Sequence, residues 1–557
     1  MSRPVSTVDR ARAWAAVDPD PETRAEVEAL LSDPAALDER FDGRLAFGTA
    51  GMRGPLGAGP RRMNRVLVRQ VATALARRVL ATGVDHPTVV VGYDARRNSD
   101  HFARDTARAC AANGVAAVVL PAPAPTPVLA YAVRHLGAAA GVMVTASHNP
   151  PADNGYKVYW SDGAQIVPPI DREIATAIDG VGLVDDDGLA PLDHPSITID
   201  DGGVHDAYLA IAAGAVGEGP RDLRAVYTAM HGVGTATIRA GFERAGFPAP
   251  IEVVEQCTPD PDFPTVAFPN PEEPGALDLA IATATEAAAD VILANDPDAD
   301  RLAVAIPVDG GWRQLTGNEV GCLLADHLLR RGPRDPDRLV VTTVVSSRLL
   351  SRIAAVHGAH YAETLTGFKW IVRPGFEHPT WRLVLGYEEA LGYAVSDAVA
   401  DKDGVTAALV IAEMVAADRA EGRTLVDRLD DLARTHGLHR SAQRSLRFAG
   451  ADPQEAMGDA MAALRAERPT TVAGRAVERF VDLLDDDTGW PPTDALVMEL
   501  AGARLVVRPS GTEPKLKIYA ESVTPDPGAD LRAAETALDH HLDELLGAAP
   551  TDLGLEG

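Results

Sequence analysis

The chain has 557 residues, 46% of them hydrophobic and 24% charged, which at roughly 150 residues per domain implies several ordinary globular domains and argues against long disorder. Fifty-two Lys plus Arg stand against 80 Asp plus Glu, a net charge of −28, so the surface as a whole repels nucleic acid and anionic membrane but admits a small anion wherever basic residues converge. Cys110, Cys257 and Cys322 are too few and too far apart for a disulfide framework or zinc knuckle, no run approaches the ~18 apolar residues of a membrane span, and the early apolar run Ala13–Val17 is too short for a secretory signal; a cytoplasmic protein is expected.

In chain order, residues 8–40 read as helical with a break at Asp33-Pro34. A Gly-rich loop follows, Phe47-Gly-Thr-Ala-Gly-Met-Arg-Gly54, and then an amphipathic helix near 64–82. Short apolar runs at 88–93, 116–120 and 140–145 alternate with helix-length segments, the pattern of parallel strands in βαβ units. The same grammar restarts near Tyr208, with strands expected at 225–229, 251–254 and 291–294. It restarts again near Gly317, with strands at 339–345 and 382–386. The end differs: a helix over 453–466, strand-like runs at 504–508 and 516–521 around a tight turn, and a long helix over 528–546. The expected fold class is α/β: three consecutive similar α/β domains with mixed, mostly parallel sheets, plus a smaller α+β C-terminal domain.

Five segments carry chemistry. Thr145-Ala-Ser-His-Asn-Pro-Pro151 follows an apolar strand, so Ser147 stands where open α/β sheets put their ligand crevice. The bland alternative is a Ser/Asn turn ahead of Pro-Pro. A serine triad is not expected, because Ser147 and His148 are adjacent and neighbouring side chains diverge, and no Gly-x-Ser-x-Gly elbow is present. Asp296-Pro-Asp-Ala-Asp-Arg301 sets three carboxylates at alternate positions after a strand. A curled loop brings all three onto one hard cation, and oxygen-only ligands suit Mg²⁺; the alternative is a solvated acidic turn.

Arg508-Pro-Ser-Gly-Thr-Glu-Pro-Lys515 packs anion-binding groups into eight residues: the Arg508 guanidinium, the hydroxyls of Ser510 and Thr512, and a backbone nest at Gly511, with Lys517 nearby. Gly386-Tyr-Glu-Glu-Ala-Leu-Gly-Tyr393 and Thr364-Leu-Thr-Gly-Phe-Lys-Trp370 place Glu388, Glu389, Thr366, Gly367 and Lys369 in loops fit to bind hydroxyls or phosphate, or else simply solvated. Asp401-Lys-Asp-Gly404 is a weaker signal still, with a simple helix cap as the plain alternative. Lys157 lies ten residues past Ser147, close enough to share its site. The chain has just five lysines, Lys157, Lys369, Lys402, Lys515 and Lys517, and all fall in or beside these motifs.

Taken together, in this order, the motifs resemble the α-D-phosphohexomutase superfamily of phosphoglucomutases and phosphomannomutases, from about Phe47 to Glu521. The runs FGTAGMRG, YTAMHGVG, TGFK and GYEEALGY look most like its phosphoglucomutase-2-like and phosphopentomutase-like subgroup. The resemblance implies a mutase that moves a phosphoryl group between O1 and O6 of a hexose through a phosphoserine and a bisphosphorylated sugar. In it Ser147 carries the phosphoryl, with His148, Lys157 and Arg53 in the catalytic group. Asp296, Asp298 and Asp300, with an oxygen of phosphorylated Ser147, hold Mg²⁺. Arg301, Thr366, Gly367, Lys369, Glu388 and Glu389 bind the sugar, while Arg508, Ser510, Gly511, Thr512 and Lys517 hold the phosphate that does not react. Lys157 and Lys369 are candidate bases provided their pKa falls in the site.

The resemblance further implies a sugar 1,6-bisphosphate primer, small phosphosugar substrates, no nucleic-acid or membrane partner, a monomer or homodimer, and four domains around a central cleft. The boundaries expected are 1–206, 207–316, 317–435 and 436–557. One departure stands out: many hexose mutases read Gly-Glu-x-Ser-Gly-His where this chain has Glu388-Glu-Ala-Leu-Gly-Tyr393, which leaves glucose, mannose and pentose phosphates open. The rival readings are a phosphopentomutase, a sugar bisphosphate synthase or phosphatase, and a non-catalytic sugar-phosphate sensor. A P-loop kinase is excluded by the lack of any Gly-Lys dipeptide.

Overall fold

The computed structural model describes residues 6–331, 334–448, 452–485, 488–510 and 515–555. The chain forms two compact units, one of residues 1–315 with 390–422, the other of residues 316–389 with 423–557.

The first unit opens with the helices Thr7–Val17, Pro21–Leu30 and Pro34–Phe41. Each has a side-chain cap, from Ser6, Asp20 and Asp33, so Asp20-Pro21 breaks the run just as Asp33-Pro34 does. Their apolar faces form a small core around Trp14, Val27, Leu37 and Phe41. The expected helix near 64–82 is Arg65–Leu80, capped by Asn64, whose Oδ1 accepts from Leu67 N at 2.9 Å.

A six-stranded sheet follows in the spatial order Gly51–Pro55, Asp153–Trp160, Ala140–Val144, Thr88–Tyr93, Ala116–Val119 and Ile197–Ile199. Its centre is parallel and Val-rich, because helices cover both faces. The first two strands run antiparallel to their neighbours. Sequence reading took residues 47–54 as a loop and passed over 153–160 as a strand, since neither run has the continuous apolar signature of a buried parallel strand.

The second sheet of this unit pairs Ala225–Thr228, Ile251–Glu252 and Val291–Ala294 in parallel and adds the hairpin Ala303–Val308/Gly311–Gln314. The segment 390–422 joins the same unit. Its helix Gly404–Ala420 is predominantly apolar and buried on every side over 404–416, and it packs on the helices Gly203–Gly214 and Gly234–Arg244, as a helix with no solvent face must.

In the second unit, Arg338–Thr343 pairs in parallel with His360–Thr364 and Arg382–Glu388. The helix Gly317–Arg330 starts with a capping box between Thr316 and Glu319. The C-terminal part is an antiparallel six-stranded sheet in the order Leu438–Arg447, Lys515–Thr524, Ala503–Pro509, Leu496–Leu500, Arg475–Asp482 and Thr471–Val472. The helices Pro453–Glu467 and Leu531–Asp552 close its core. Only two of those strands were visible as apolar runs; Leu438–Arg447 and Arg475–Asp482 are rich in charged residues on their exposed faces.

Candidate active site

Ser147 follows the strand Ala140–Val144 in a sharp turn. Its backbone is left-handed, φ +52°, and its N–H donates to Thr145 Oγ1 at 2.8 Å. That turn corrects one expectation. The Ser147 and His148 side chains do not diverge: Ser147 Oγ lies 3.1 Å from His148 Nδ1, because a left-handed residue swings its side chain toward the next one. Burial, reinforced by the guanidiniums of Arg301 and Arg53, holds His148 well below the usual histidine range and keeps it neutral.

Ser147 Oγ also donates to Asp296 Oδ2 at 2.8 Å. The three aspartates follow the strand Val291–Ala294, and their side chains are wholly buried or nearly so, Asp296 and Asp298 at 0% and Asp300 at 1% exposure. One oxygen from each lies within 4.8 Å of the others. The loop is fastened from below by the run Thr228-Ala-Met-His-Gly-Val233. Val233 N donates to Pro297 O at 2.8 Å, and a Cβ at Gly232 would lie 2.3 Å from Pro297 Cα, so only glycine lets the two loops touch. Arg301 N donates to Asp296 Oδ1 at 3.0 Å.

Three carboxylates this close require cations. Lys157 Nζ donates to Asp298 Oδ2 at 2.7 Å and Asp300 Oδ2 at 2.9 Å, and Lys402 Nζ lies 3.3 Å from Asp300 Oδ2. Thr126 Oγ1 donates to Asp298 Oδ2 at 2.6 Å. Burial alone raises a carboxyl's pKa, and Asp296, facing Asp298 and Asp300, stays well above the usual range. For Asp298 and Asp300 burial is outweighed by Lys157, and both are lowered. Burial disfavours the Lys157 ammonium, but Asp298 and Asp300 outweigh it and push the lysine up. Beside those carboxylates Lys157 is held in its charged form, as their counter-ion.

The donor set fits a hard divalent cation. All its ligands are oxygens, and the Oδ1 atoms of Asp298 and Asp300 are buried without a hydrogen-bond partner, as oxygens kept for a metal would be. Arg53 sits on the strand Gly51–Pro55 opposite Gly155, next to the strand that carries Lys157. Arg301, at the end of the aspartate loop, pairs with Glu272 at 3.2 Å.

Sequence reasoning misses Thr126, whose helix supplies no motif, and finds in the 401–404 run only a weak signal with a cap as its plain alternative. Asp403 is such a cap, its Oδ1 accepting from Thr406 N at 2.8 Å. Lys402 beside it reaches the aspartates, and Asp401 accepts from Tyr159 and Gln165 at 2.7 and 2.8 Å. The scarcity of lysine was the available signal.

In the second unit, Glu388 ends the strand Arg382–Glu388 and Glu389 follows it. Glu389 Oε2 accepts from Ser346 at 3.2 Å and Thr343 at 3.4 Å. A Cβ at Gly317 would stand 2.1 Å from Glu389 O, so the capping-box helix starts hard against this loop. Thr366 and Gly367 lie half-buried just before Lys369, which is buried with its ammonium 5.6 Å from the Trp370 ring centre.

Arg508 pairs with Lys517 across the hairpin, and Ser510 N donates to Lys515 O at 2.8 Å. Gly511 and Thr512 lie outside the described residues. Burial, followed by the charge of Glu389, raises the Tyr519 phenol, while a hydrogen bond with Arg508 acts the other way. Tyr519 thus hydrogen-bonds the candidate phosphate loop and lies within the field of the candidate sugar loop. Leu391 and Tyr393, which stand where serine and histidine occur in many hexose mutases, are 2% and 0% exposed.

The chain matches the three alpha/beta/alpha domains of phosphoglucomutase/phosphomannomutase over residues 44–183, 208–310 and 316–436, and the family's C-terminal domain over 393–538. The chain belongs to the phosphoglucomutase/phosphomannomutase family. It is 46% identical over 472 residues to a Haemophilus influenzae protein named "Probable phosphomannomutase", covering 84% of this chain and 94% of that one. It is 35% identical to the mouse phosphopentomutase over 96% of this chain and 92% of the relative. The crystal structure of a phosphoglucomutase/phosphomannomutase family protein from Burkholderia thailandensis has a TM-score of 0.69 over 91% of this chain and 97% of that one; at 21% identity that likeness concerns the fold. No helix among the described residues is long and apolar enough to cross a membrane.

Proposed function

We propose that the protein is a phosphosugar mutase interconverting hexose 1-phosphate and hexose 6-phosphate, of glucose, mannose or both, by way of a phosphoserine and a bisphosphorylated sugar. The observation that carries the reading is Ser147 Oγ hydrogen-bonded at 2.8 Å to the first of three buried aspartates in a chain of this family.

In the first half-reaction the Oγ–P bond of phosphorylated Ser147 breaks as a P–O bond forms to the free sugar hydroxyl; the hydroxyl proton leaves to a base, and the freed Ser147 Oγ takes up a proton. The bisphosphate turns round, and its other phosphoryl returns to Ser147 Oγ. On that return the serine proton must depart, and two acceptors stand ready, Asp296 Oδ2 at 2.8 Å and the neutral His148 Nδ1 at 3.1 Å. Asp296, Asp298, Asp300 and an oxygen of phosphorylated Ser147 would hold Mg²⁺, which supplies neutralising charge to the transferring group. Lys157 and Lys402 add fixed positive charge beside the same carboxylates. Arg53 and Arg301 assist binding of the reacting phosphate. Glu388, Glu389, Thr366, Gly367 and Lys369 read the sugar, and Arg508, Ser510, Gly511, Thr512 and Lys517 grip the phosphate that stays.

The mouse relative is named for a pentose substrate, which favours one second reading, exchange between pentose 1- and 5-phosphates. The test is a panel of glucose, mannose and ribose 1-phosphates, each primed with glucose 1,6-bisphosphate and Mg²⁺. The hexoses turning over faster supports the proposal, ribose leading replaces it with the pentose reading, and phosphate release without isomerisation overturns both.

A further inference from the structure

Arg96 follows the strand Thr88–Tyr93 in the run Gly92-Tyr-Asp-Ala-Arg-Arg-Asn-Ser99, and it is 4% exposed. Its guanidinium gathers four backbone carbonyls of the serine loop. Nη2 donates to Ser147 O and Asn149 O, each at 2.6 Å, and Nη1 donates to Pro150 O at 2.8 Å and Asp153 O at 3.1 Å. The fork is itself held in place. Nε faces Asp94 Oδ2 at 3.4 Å, Asp94 Oδ1 accepts from Ser99 Oγ at 2.6 Å and Arg96 N at 3.0 Å, and the Phe263 ring lies 4.9 Å beneath the guanidinium carbon.

The serine loop needs such a fixture. Ser147 is left-handed, a conformation that a residue with a side chain keeps only when its surroundings impose it. The loop cannot hold itself through its own amides at Pro150 and Pro151, which have no N–H. Because C=O and N–H of one peptide unit point in opposite directions, turning Ser147 O toward Arg96 turns His148 N–H away from it, and the geometry of the turn is set. A planar fork with five donors can satisfy four spread acceptors; an ammonium, with three donors on one atom, cannot.

We propose that Arg96 is the positioning residue of the phosphoryl-carrying serine: by collecting four carbonyls of the 147–153 loop it holds Ser147 in its left-handed turn with Oγ against Asp296. It acts through the loop, not on the phosphoryl group. The inference rests on the carrier role of Ser147 proposed above.

The experiment compares wild type, Arg96→Lys and Arg96→Gln, full length with Mg²⁺, after incubation with ³²P-labelled glucose 1,6-bisphosphate. It reads label on Ser147, the share of label lost to water rather than passed to sugar, kcat and KM separately, and the melting temperature. Both variants should melt within a few degrees of wild type, with KM altered less than about threefold. The kcat should fall about 100-fold in Arg96→Lys and further in Arg96→Gln, the size expected when a reacting atom is misplaced by about 1 Å, and the share lost to water should rise. Should Arg96→Gln not fold, Arg96→Lys together with Phe263→Leu, which loosens the ring beneath the fork, carries the same comparison with the smaller loss in Phe263→Leu. Variants matching wild type in kcat and label partition overturn the inference, as does a fall in kcat that merely follows the folded fraction. If wild type takes no label at Ser147, the carrier reading fails and this inference falls with it; if wild type labels and the variants behave identically, the inference alone fails.

Discussion

The serine and aspartate loops of the first unit and the proposed sugar and phosphate loops of the second are built on opposite plans. Around Ser147 the charged groups are buried: the aspartates are close to fully enclosed, one oxygen of Asp298 and of Asp300 faces Lys157, Lys402 or Thr126 at hydrogen-bond or ion-pair distance, and the other is left without a hydrogen bond. Glu388, Glu389, Arg508 and Ser510 are half-buried, and Tyr519 hydrogen-bonds with Arg508. The proposed phosphoryl transfer needs preorganised, desolvated groups, because each electrostatic contact there is worth more than in water. Recognition of a sugar in two orientations, as the proposed reaction requires, needs hydroxyls and a guanidinium that stay accessible.

Breaking the first plan should cost most. Ser147→Ala should lower turnover by about 10⁴-fold or more with the melting temperature unchanged; a coupled assay retaining substantial activity would contradict the carrier role. Asp298→Asn should cost about 10²-fold and shift the Mg²⁺ titration to higher concentration; an unchanged midpoint in a metal titration would remove Asp298 from the ligand set. Perturbing the second plan should cost less. Gly317→Ala forces the sugar loop away from the start of its helix, and we expect about 1–3 kcal/mol lower stability with a fall in kcat/KM, read by denaturant unfolding and initial rates.

Arg508→Ala should raise KM for the monophosphate about tenfold while leaving kcat and the melting temperature nearly untouched, in keeping with the loss of one charge-assisted contact. The smallest effect expected on stability sharpens the contrast. Chelating divalent metal should abolish turnover yet move the melting temperature by only a few degrees, because Lys157 and Lys402 already pair with the aspartates. A collapse of the fold on chelation, followed by circular dichroism, would show the lysines to be inadequate partners.

Much of this was legible in the chain. The Val-rich runs at 88–93 and 140–145 announce buried parallel strands because both their faces are covered, and Asp296-Pro-Asp-Ala-Asp reads as a ligand loop because three carboxylates so close demand a cation. The strands Gly51–Pro55 and Asp153–Trp160 were not legible: they pair antiparallel at one edge of the sheet and carry glycine and charge in place of apolar alternation. The contact between Ser147 and His148 was misjudged because residues in extended chain point apart, and nothing in the local pattern announces a left-handed serine.

What the sequence by itself determined is the order of the chemical motifs, the α/β grammar and the helix starts, all consequences of side-chain period and of caps that act over three or four residues. What only the tertiary structure decided is which distant groups share a site. Arg96 lies 51 residues before the carbonyl it holds at Ser147, and Lys157 lies 143 residues before Asp300. A hydrogen bond acts over about 3 Å, and no one-dimensional pattern records that distance until the sheets have brought the two loops together.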